Sequence, residues 1–265
     1  MAFIDKIKRP RVIIAVCAAV VVLLILFPLN SGLVWITDIG GRGDDRFESV
    51  VQAPGGGFVA VGYSQSSYGD IPGNKGSDDA IIAKFTENGR LVWIKNIGGS
   101  DFDQFRSVVQ TPDGGFVAVG TTWSHNGDIP GKKGKLDAII AKFTEDGDLV
   151  WIKNVGGSGR DVFWMVISAP DNSFVAVGNS SSNDGDIPGH KGSSETYDAL
   201  IARFDESGEL VWIKNVGGSK GDRFNAVVLA PDGSFVAVGV SLSSFGVFSL
   251  NKGSEDAIIA KFNVR

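Results

Sequence analysis

Cysteine occurs once in the 265 residues, at Cys17, while histidine and methionine occur twice each. A single cysteine excludes any disulfide within the chain, and beyond Cys17 no thiol exists to act as nucleophile or metal ligand. The two histidines, His125 and His190, fall at non-equivalent points of the pattern described below. Neither has a partner at metal-ligand spacing, so zinc chemistry has no support. The sequence also lacks G-x-S-x-G, a phosphate-binding P-loop and any zinc motif. A 3.6-residue apolar period is missing from residue 31 onward, which excludes amphipathic helices as the building material.

Long apolar runs are absent too, with one exception. Val12–Leu29 is an uncharged stretch of 18 residues preceded by the basic segment "MAFIDKIKRPR". That length exceeds the signal-peptide core of about 7–15 residues and reaches the lower limit for a bilayer-spanning helix. No A-x-A-like cleavage site follows it. The expectation is a cytoplasmic tail at 1–11, an uncleaved signal-anchor helix at 12–29 and a domain at 33–265 outside the cytoplasmic membrane. A cleaved signal peptide is the alternative. Without Asp5 and the tail cations, 29 acids face 21 bases, an acidic balance that excludes nucleic acid as a partner. The 233 residues of the domain suffice to bury about 70–75% of their unfolded surface without disulfides.

What is present is repetition. The tryptophan of "LVW" falls at Trp35, Trp93, Trp151 and Trp212, at intervals of 58, 58 and 61 residues. The longer step comes from "SSETYD" (193–198) replacing "SDD" (77–79). Repeats therefore start near 33, 91, 149 and 210, and each reads as four short strands. "SVVQ" and "FVAVG" flank the Pro-Gly turn "APGGG"; "AIIAKF" and "LVWIK" flank "TENGR", a hairpin signal. "FVAVG" and "AIIA" are apolar on both faces, as strands between two neighbouring sheets must be. Sixteen strands in four like groups predict an all-β fold, a four-bladed β-propeller of four-stranded antiparallel blades. Its frame leaves the last blade without an outer strand, and pairing of residues 33–37 with 257–262 is expected to complete it.

The chain also resembles the bacterial β-propeller repeat family labelled SBBP. The resemblance rests on "LVWIKNIGGS", the Asp and aromatic of "DQF", "DVF" and "DRF", then "SVVQTPDGGFVAVG" and "DAIIAKF", and covers 33–262. It implies the propeller fold and an exported location, and no activity.

Alternate connections of antiparallel strands go to opposite faces. One face collects short turns with Glu87, Glu145, Asp146, Asp205 and Glu206, and is expected over the bilayer. The other collects the long loops, where binding sites gather. Asp45, Asp103, Asp161 and Asp222 before the first strand, and Asp79, Asp137, Asp198 and Asp256 before the third, recur in every repeat. They read as loop fasteners accepting backbone N–H bonds. The loop "GDIPG" recurs only three times: Asp70, Asp128 and Asp186 give way to Val247. These three acids, with Pro72, Pro130 and Pro188 stiffening the turn, are therefore candidates for binding. Lys75, Lys132, Lys191 and Lys252 lie beside them as pairing cations. "NDGD" (183–186) could contribute to a calcium site, although neighbouring loops supply too few carboxylates. "RGD" (42–44) reads as coincidence within a Gly-rich loop.

Positions that vary between repeats are equally informative. Glu48, Arg106, Trp164 and Asn225 follow a recurrent phenylalanine near the predicted central mouth. Tyr68, Trp123, Tyr197 and Phe245 lie on the long loops. Aromatics beside polar side chains suit protein or sugar recognition, with core packing as the competing explanation. The chain thus reads as a membrane-anchored, non-enzymatic binding or scaffold module for a protein or cell-envelope polymer. A calcium-assisted lectin-like propeller is a second reading. A cell-envelope hydrolase, its carboxylates assembled across the mouth, is a third. No cofactor other than calcium is implied.

Overall fold

Tight turns set the strand boundaries. The computed structural model describes residues 32–263 except Pro72, Ser194, Ser249 and Leu250; the apolar run at 12–29 lies outside these residues. In "TENGR" the Thr86 N–H donates to the Arg90 carbonyl at 2.9 Å, and Gly89 closes the turn at φ +75°. Gly147 and Gly208 repeat that geometry at φ +80°. At the other short turn Asn172, with φ 61°, stands where glycine stands elsewhere, since asparagine tolerates the left-handed region.

Between the turns run fifteen strands in four antiparallel meanders, with no helix among the described residues. Blade 1 comprises β1 (Asp45–Gln52), β2 (Phe58–Ser64), β3 (Asp79–Phe85) and β4 (Leu91–Ile97). Blade 2 comprises β5 (Asp103–Gln110), β6 (Phe116–Thr122), β7 (Asp137–Phe143) and β8 (Leu149–Val155). Blade 3 follows with β9 (Asp161–Ser168), β10 (Phe174–Ser180), β11 (Asp198–Phe204) and β12 (Leu210–Val216). Blade 4 has three strands, β13 (Asp222–Leu229), β14 (Phe235–Ser241) and β15 (Asp256–Phe262). This is a propeller-like repeat of four sheets. The "LVWIK" strands are outermost, because the first strand of each blade packs on its neighbour.

Each blade buries both faces where a neighbour exists. Val59, Val61, Ala80 and Ile82 of blade 1 meet Phe105, Phe116, Ile139 and Phe143 of blade 2. Blades 2 and 3, and blades 3 and 4, share equivalent cores. Phe105 and Phe143 stack edge-to-face, centroids 5.8 Å apart, and Phe163–Phe204 and Phe224–Phe262 repeat the pair.

The two ends of the array differ. Phe47 is 37% and Val50 64% exposed, whereas Phe105 and Phe163, equivalent to Phe47, are fully buried. In blade 4, Ile259 is 74% exposed, although Ile82, Ile140 and Ile201 are fully buried. The expected clasp is not formed. Residues 33–37 make no strand, and blade 4 remains three-stranded. Instead Trp35 lies on blade 1, its Nε1 donating to the Glu87 carbonyl at 3.0 Å and its ring 6.1 Å from that of Phe58. Ile39 joins Ala60, Ala83 and Phe85 in a small cluster there. The segment thus covers part of the face of blade 1 that has no neighbouring blade.

Candidate functional site

The long loops all leave from one face, as antiparallel pairing requires, and recurrent aspartates, buried except for the half-buried Asp45 and Asp256, tie them down. Asp103 accepts from Thr122 Oγ1 at 2.5 Å, Ser124 Oγ at 2.7 Å and the Gly99 N–H at 2.7 Å. Asp45, Asp161 and Asp222 repeat that set with their own hydroxyls and glycine. Asp79, Asp137, Asp198 and Asp256 accept the N–H of Lys75, Lys133, Lys191 and Lys252. The recurrent acids are fasteners. Burial pushes Asp103, Asp161 and Asp198 above the usual carboxylate range, and Asp79 up to about 6.

Asp70, Asp128 and Asp186 are also engaged by the chain itself. Their Oδ2 atoms accept the N–H of Gly40 at 3.3 Å, Gly98 at 3.0 Å and Gly156 at 3.0 Å. Lys75 of blade 1 pairs with Asp128 of blade 2, and Lys133 of blade 2 with Asp186 of blade 3 at 2.5 Å. The lysine equivalent to Lys75 is therefore Lys133, not Lys132, because register is counted from the following glycine. In "NDGD", Asp184 Oδ1 accepts the Ser158 N–H at 2.6 Å. Among the described residues no three metal-ligating side chains converge. His190 is held within its own loop, with Nε2 2.9 Å from the Ser193 carbonyl. Pro72 lies outside the described residues.

The variable positions carry the structural surprise. Pairing of the first and second strands slips between Phe47 and Ser49, Phe105 and Ser107, and Phe224 and Ala226, with the same slip opposite Val177 and Gly178. Glu48, Arg106, Trp164 and Asn225 are thus the extra residues of four β-bulges, a device that re-aims a side chain at a rim. Glu48, Arg106 and Trp164, on successive blades, interact through Arg106. The Arg106 guanidinium lies 4.3 Å from the Trp164 ring, a cation–π contact, and its Nη2 donates to Gln104 at 3.0 Å. Burial lowers the Arg106 pKa, offset by the charge of Glu48, which also pairs with Arg46 at 3.6 Å. Asn225 stands exposed on its own bulge. Trp123 packs edge-to-face on Phe102 at 5.7 Å, and Tyr68 is exposed.

Trp164 adjoins, without lining it, a groove of about 610 Å³ on the loop face between blades 2 and 3. Its Nε1 donates to Asn179 Oδ1 at 2.7 Å, and Asn179 lines the groove with Lys135, Arg160, Glu195 and Tyr197. The insertion in "SSETYD" supplies Glu195 and Tyr197. Of these lining residues sequence reasoning found only Tyr197. Asn179 could have been found, because it varies across the repeats as Tyr63, Thr121, Asn179 and Val240, beside the bulge.

No protein-family model matches the chain. A curated relative, "Regulatory protein FlaEY" of Caulobacter vibrioides, is 24% identical over 229 residues, covering 79% of this chain. The chain spans only 23% of that relative's length. Among solved structures, a protein of unknown function from Bacteroides caccae matches at TM-score 0.43 and 11% identity, over 87% of this chain and 65% of its own. Sqt1 from Chaetomium thermophilum matches at TM-score 0.38 and 15% identity, over 78% and 44% respectively. Likenesses this distant add nothing to the fold read from the strands, which remains a propeller-like repeat of antiparallel blades.

Proposed function

We propose that the protein is a non-enzymatic binding or scaffold module, anchored in the cytoplasmic membrane by residues 12–29. In this reading its loop face meets an extracytoplasmic protein or cell-envelope polymer. The supporting observation is the groove between blades 2 and 3, where Lys135, Arg160, Asn179, Glu195 and Tyr197 converge beside the stacked Arg106 and Trp164. A concave site mixing an aromatic, an amide and charges of both signs recognises polar polymers, and the rigid bulges fix its geometry. The recurrent carboxylates accept bonds from loop N–H groups and hydroxyls, which supports the non-enzymatic reading. The exposed Trp123–Phe102 pair favours a carbohydrate as the polymer.

Binding of the full chain to isolated cell envelopes tests the reading. Arg160→Glu and Trp164→Ala should each weaken it about tenfold or more, as truncation of an anchor residue does. Glu87→Gln and Glu206→Gln on the opposite face should leave it unchanged. Equal loss from both faces would overturn the proposal. Protease added to spheroplasts should degrade the blades; a domain that survives would refute the orientation.

A further inference from the structure

The seams of blades 1–2 and 2–3 are built from the same parts, and the seam of blades 3–4 keeps their backbone bond while Val247 replaces the aspartate and Thr196 covers Gly192. Asp103 N–H donates to the Asp78 carbonyl at 2.7 Å, Asp161 to Leu136 at 2.7 Å and Asp222 to Tyr197 at 2.6 Å. A lysine of the earlier blade reaches the "GDIPG" aspartate of the next: Lys75 to Asp128, Lys133 to Asp186. The "GGS" loop of the next blade closes over a glycine of the earlier one. A Cβ on Gly76 would lie 2.5 Å from the Gly99 carbonyl, and one on Gly134 would strike that of Gly157.

Both halves of this seam stand unused at the two ends of the array. Among the described residues, Lys252, the counterpart of Lys75, has no ionic partner, and Asp70, the counterpart of Asp128, meets no lysine. Gly253 faces open space, beside a cavity of about 520 Å³ lined by Asn251, Lys252, Asp256 and Ala257. The apolar surfaces correspond as well. Val238 and Ile259 of blade 4 are exposed where Val61 and Ile82 are buried against blade 2. Phe47 and Val50 of blade 1 are exposed where Phe105 and Val108 are buried against blade 1. Blade 4 presents the donor half, blade 1 the acceptor half.

We propose that blade 4 of one copy receives blade 1 of a second copy, head to tail. Trp35–Ile39 of the second copy then enters as the fourth strand on β15. This segment already holds the matching position. Trp35 sits over Gly89 and Phe58 as Trp151 sits over Gly208 and Phe174 and as Trp212 sits beside Phe235. Docking in the geometry of the internal seams carries Trp35–Ile39 along the free edge of β15, as β4 lies along β3. It places Gly40–Gly43 in the cavity beside Gly253 and Asp70 opposite Lys252. The faces are unlike, so the contact is heterologous and either closes a ring or extends. Pairing the β15 edge also removes an open template for aggregation.

Sedimentation of the full chain in detergent micelles reads the association. Lys252→Glu and Asp70→Lys should each weaken it about tenfold or more, since each sets like charges together, and the double variant should restore it. Ile259→Glu should abolish it with an unchanged melting temperature, the side chain being exposed in the single copy. For the contact itself, 14N and 15N copies are mixed after dilution, concentrated and treated with a carbodiimide that couples lysine to carboxylate. Lys252–Asp70 peptides should carry mixed labels, with Lys75–Asp128 as a same-label control. Same-label Lys252–Asp70 peptides alone would mean closure within one chain and overturn the proposal. So would a monomer in which only the control couples. Association that ignores Asp70→Lys but is lost in Ile259→Glu would mean two blade 4 edges face each other, and would also overturn it.

Discussion

A buried carboxylate stabilises a fold only while its bonds outweigh its desolvation. Asp79 spends one oxygen on the Lys75 N–H at 2.7 Å, and its Oδ1 is buried without a partner. Burial therefore raises its pKa from 3.8 to about 6. The folded form binds the proton more tightly than the unfolded chain, so protonation favours folding. Asp79 thus adds stability that is fully present below about pH 4 and lost as pH rises through about 6. Asp113 works in the opposite sense. Bonds from Lys142 and Thr111 lower it to about 2, so its contribution is present above about pH 4 and lost as pH falls through about 2. The two windows do not overlap. Lowering pH from 6.5 to 4.5 should raise the melting temperature by at least ~2–4 °C, on the order of 1 kcal/mol from Asp79, and Asp79→Asn should reduce that slope, leaving the share of Asp103, Asp161 and Asp198, which burial raises as well. The "GDIPG" acids should separate as well. Asp128→Val and Asp186→Val each remove a glycine N–H acceptor and a lysine partner, for about 1–2 kcal/mol in denaturant titrations. Asp70→Val, which loses one bond of 3.3 Å, should cost less than about 1 kcal/mol. Blade 4 does without that carboxylate because Val247 N–H still reaches the Gly217 carbonyl at 3.3 Å.

Among the elements, the first hairpin of each blade is the most constrained. The bulge pushes the first strand's backbone against the glycine of "FVAVG". A Cβ on Gly120 would strike the Gln104 carbonyl, and Gly62, Gly178 and Gly239 are placed alike. Gly120→Ala should therefore destabilise by about 1–3 kcal/mol or more through overpacking, measured by urea unfolding. Gly55→Ala has open space, so its penalty should come only from its φ of +72° and be smaller. The strands were legible from apolar, β-branched runs between Pro-Gly and Asn-Gly turns. Bulges were not, since an inserted residue leaves the composition of a strand unchanged and shows only in the pairing register. Hence Glu48, Arg106, Trp164 and Asn225 could be singled out by their variation, but not by the backbone device that displays them.

For the whole molecule, stability should fall from the middle blades to the ends. In a repeat array each unit is stabilised by its neighbours, and an end unit lacks one. Blades 2 and 3 bury both faces; blade 4 exposes Val228, Val238 and Ile259. Hydrogen exchange on dilute protein should show β14 and β15 exchanging at least about tenfold faster than β6, β7, β10 and β11. Uniform protection would mean that the array unfolds as a single cooperative unit. Trp35→Ala should cost about 1–3 kcal/mol and raise exchange in β2 and β3, because its ring and Ile39 cap the outer side of blade 1.

The sequence by itself determined the repeat, its strand order, the antiparallel meander and the loop face. These follow from period, turn chemistry and alternation, all local in the chain. It also marked the recurrent aspartates as fasteners, because a residue present in every repeat serves what every repeat needs. Which ends meet was decided only in three dimensions. The apolar pattern of "LVWIT" is that of an outer strand, yet Trp35 and Ile39 lie on blade 1 without forming one, because strand pairing needs a free edge within reach and no local signal supplies that. The groove between blades 2 and 3 likewise exists only because residues from "SHNGDIPGKKGK", "GGSGR" and "SSETY", far apart in sequence, are brought together where two sheets diverge.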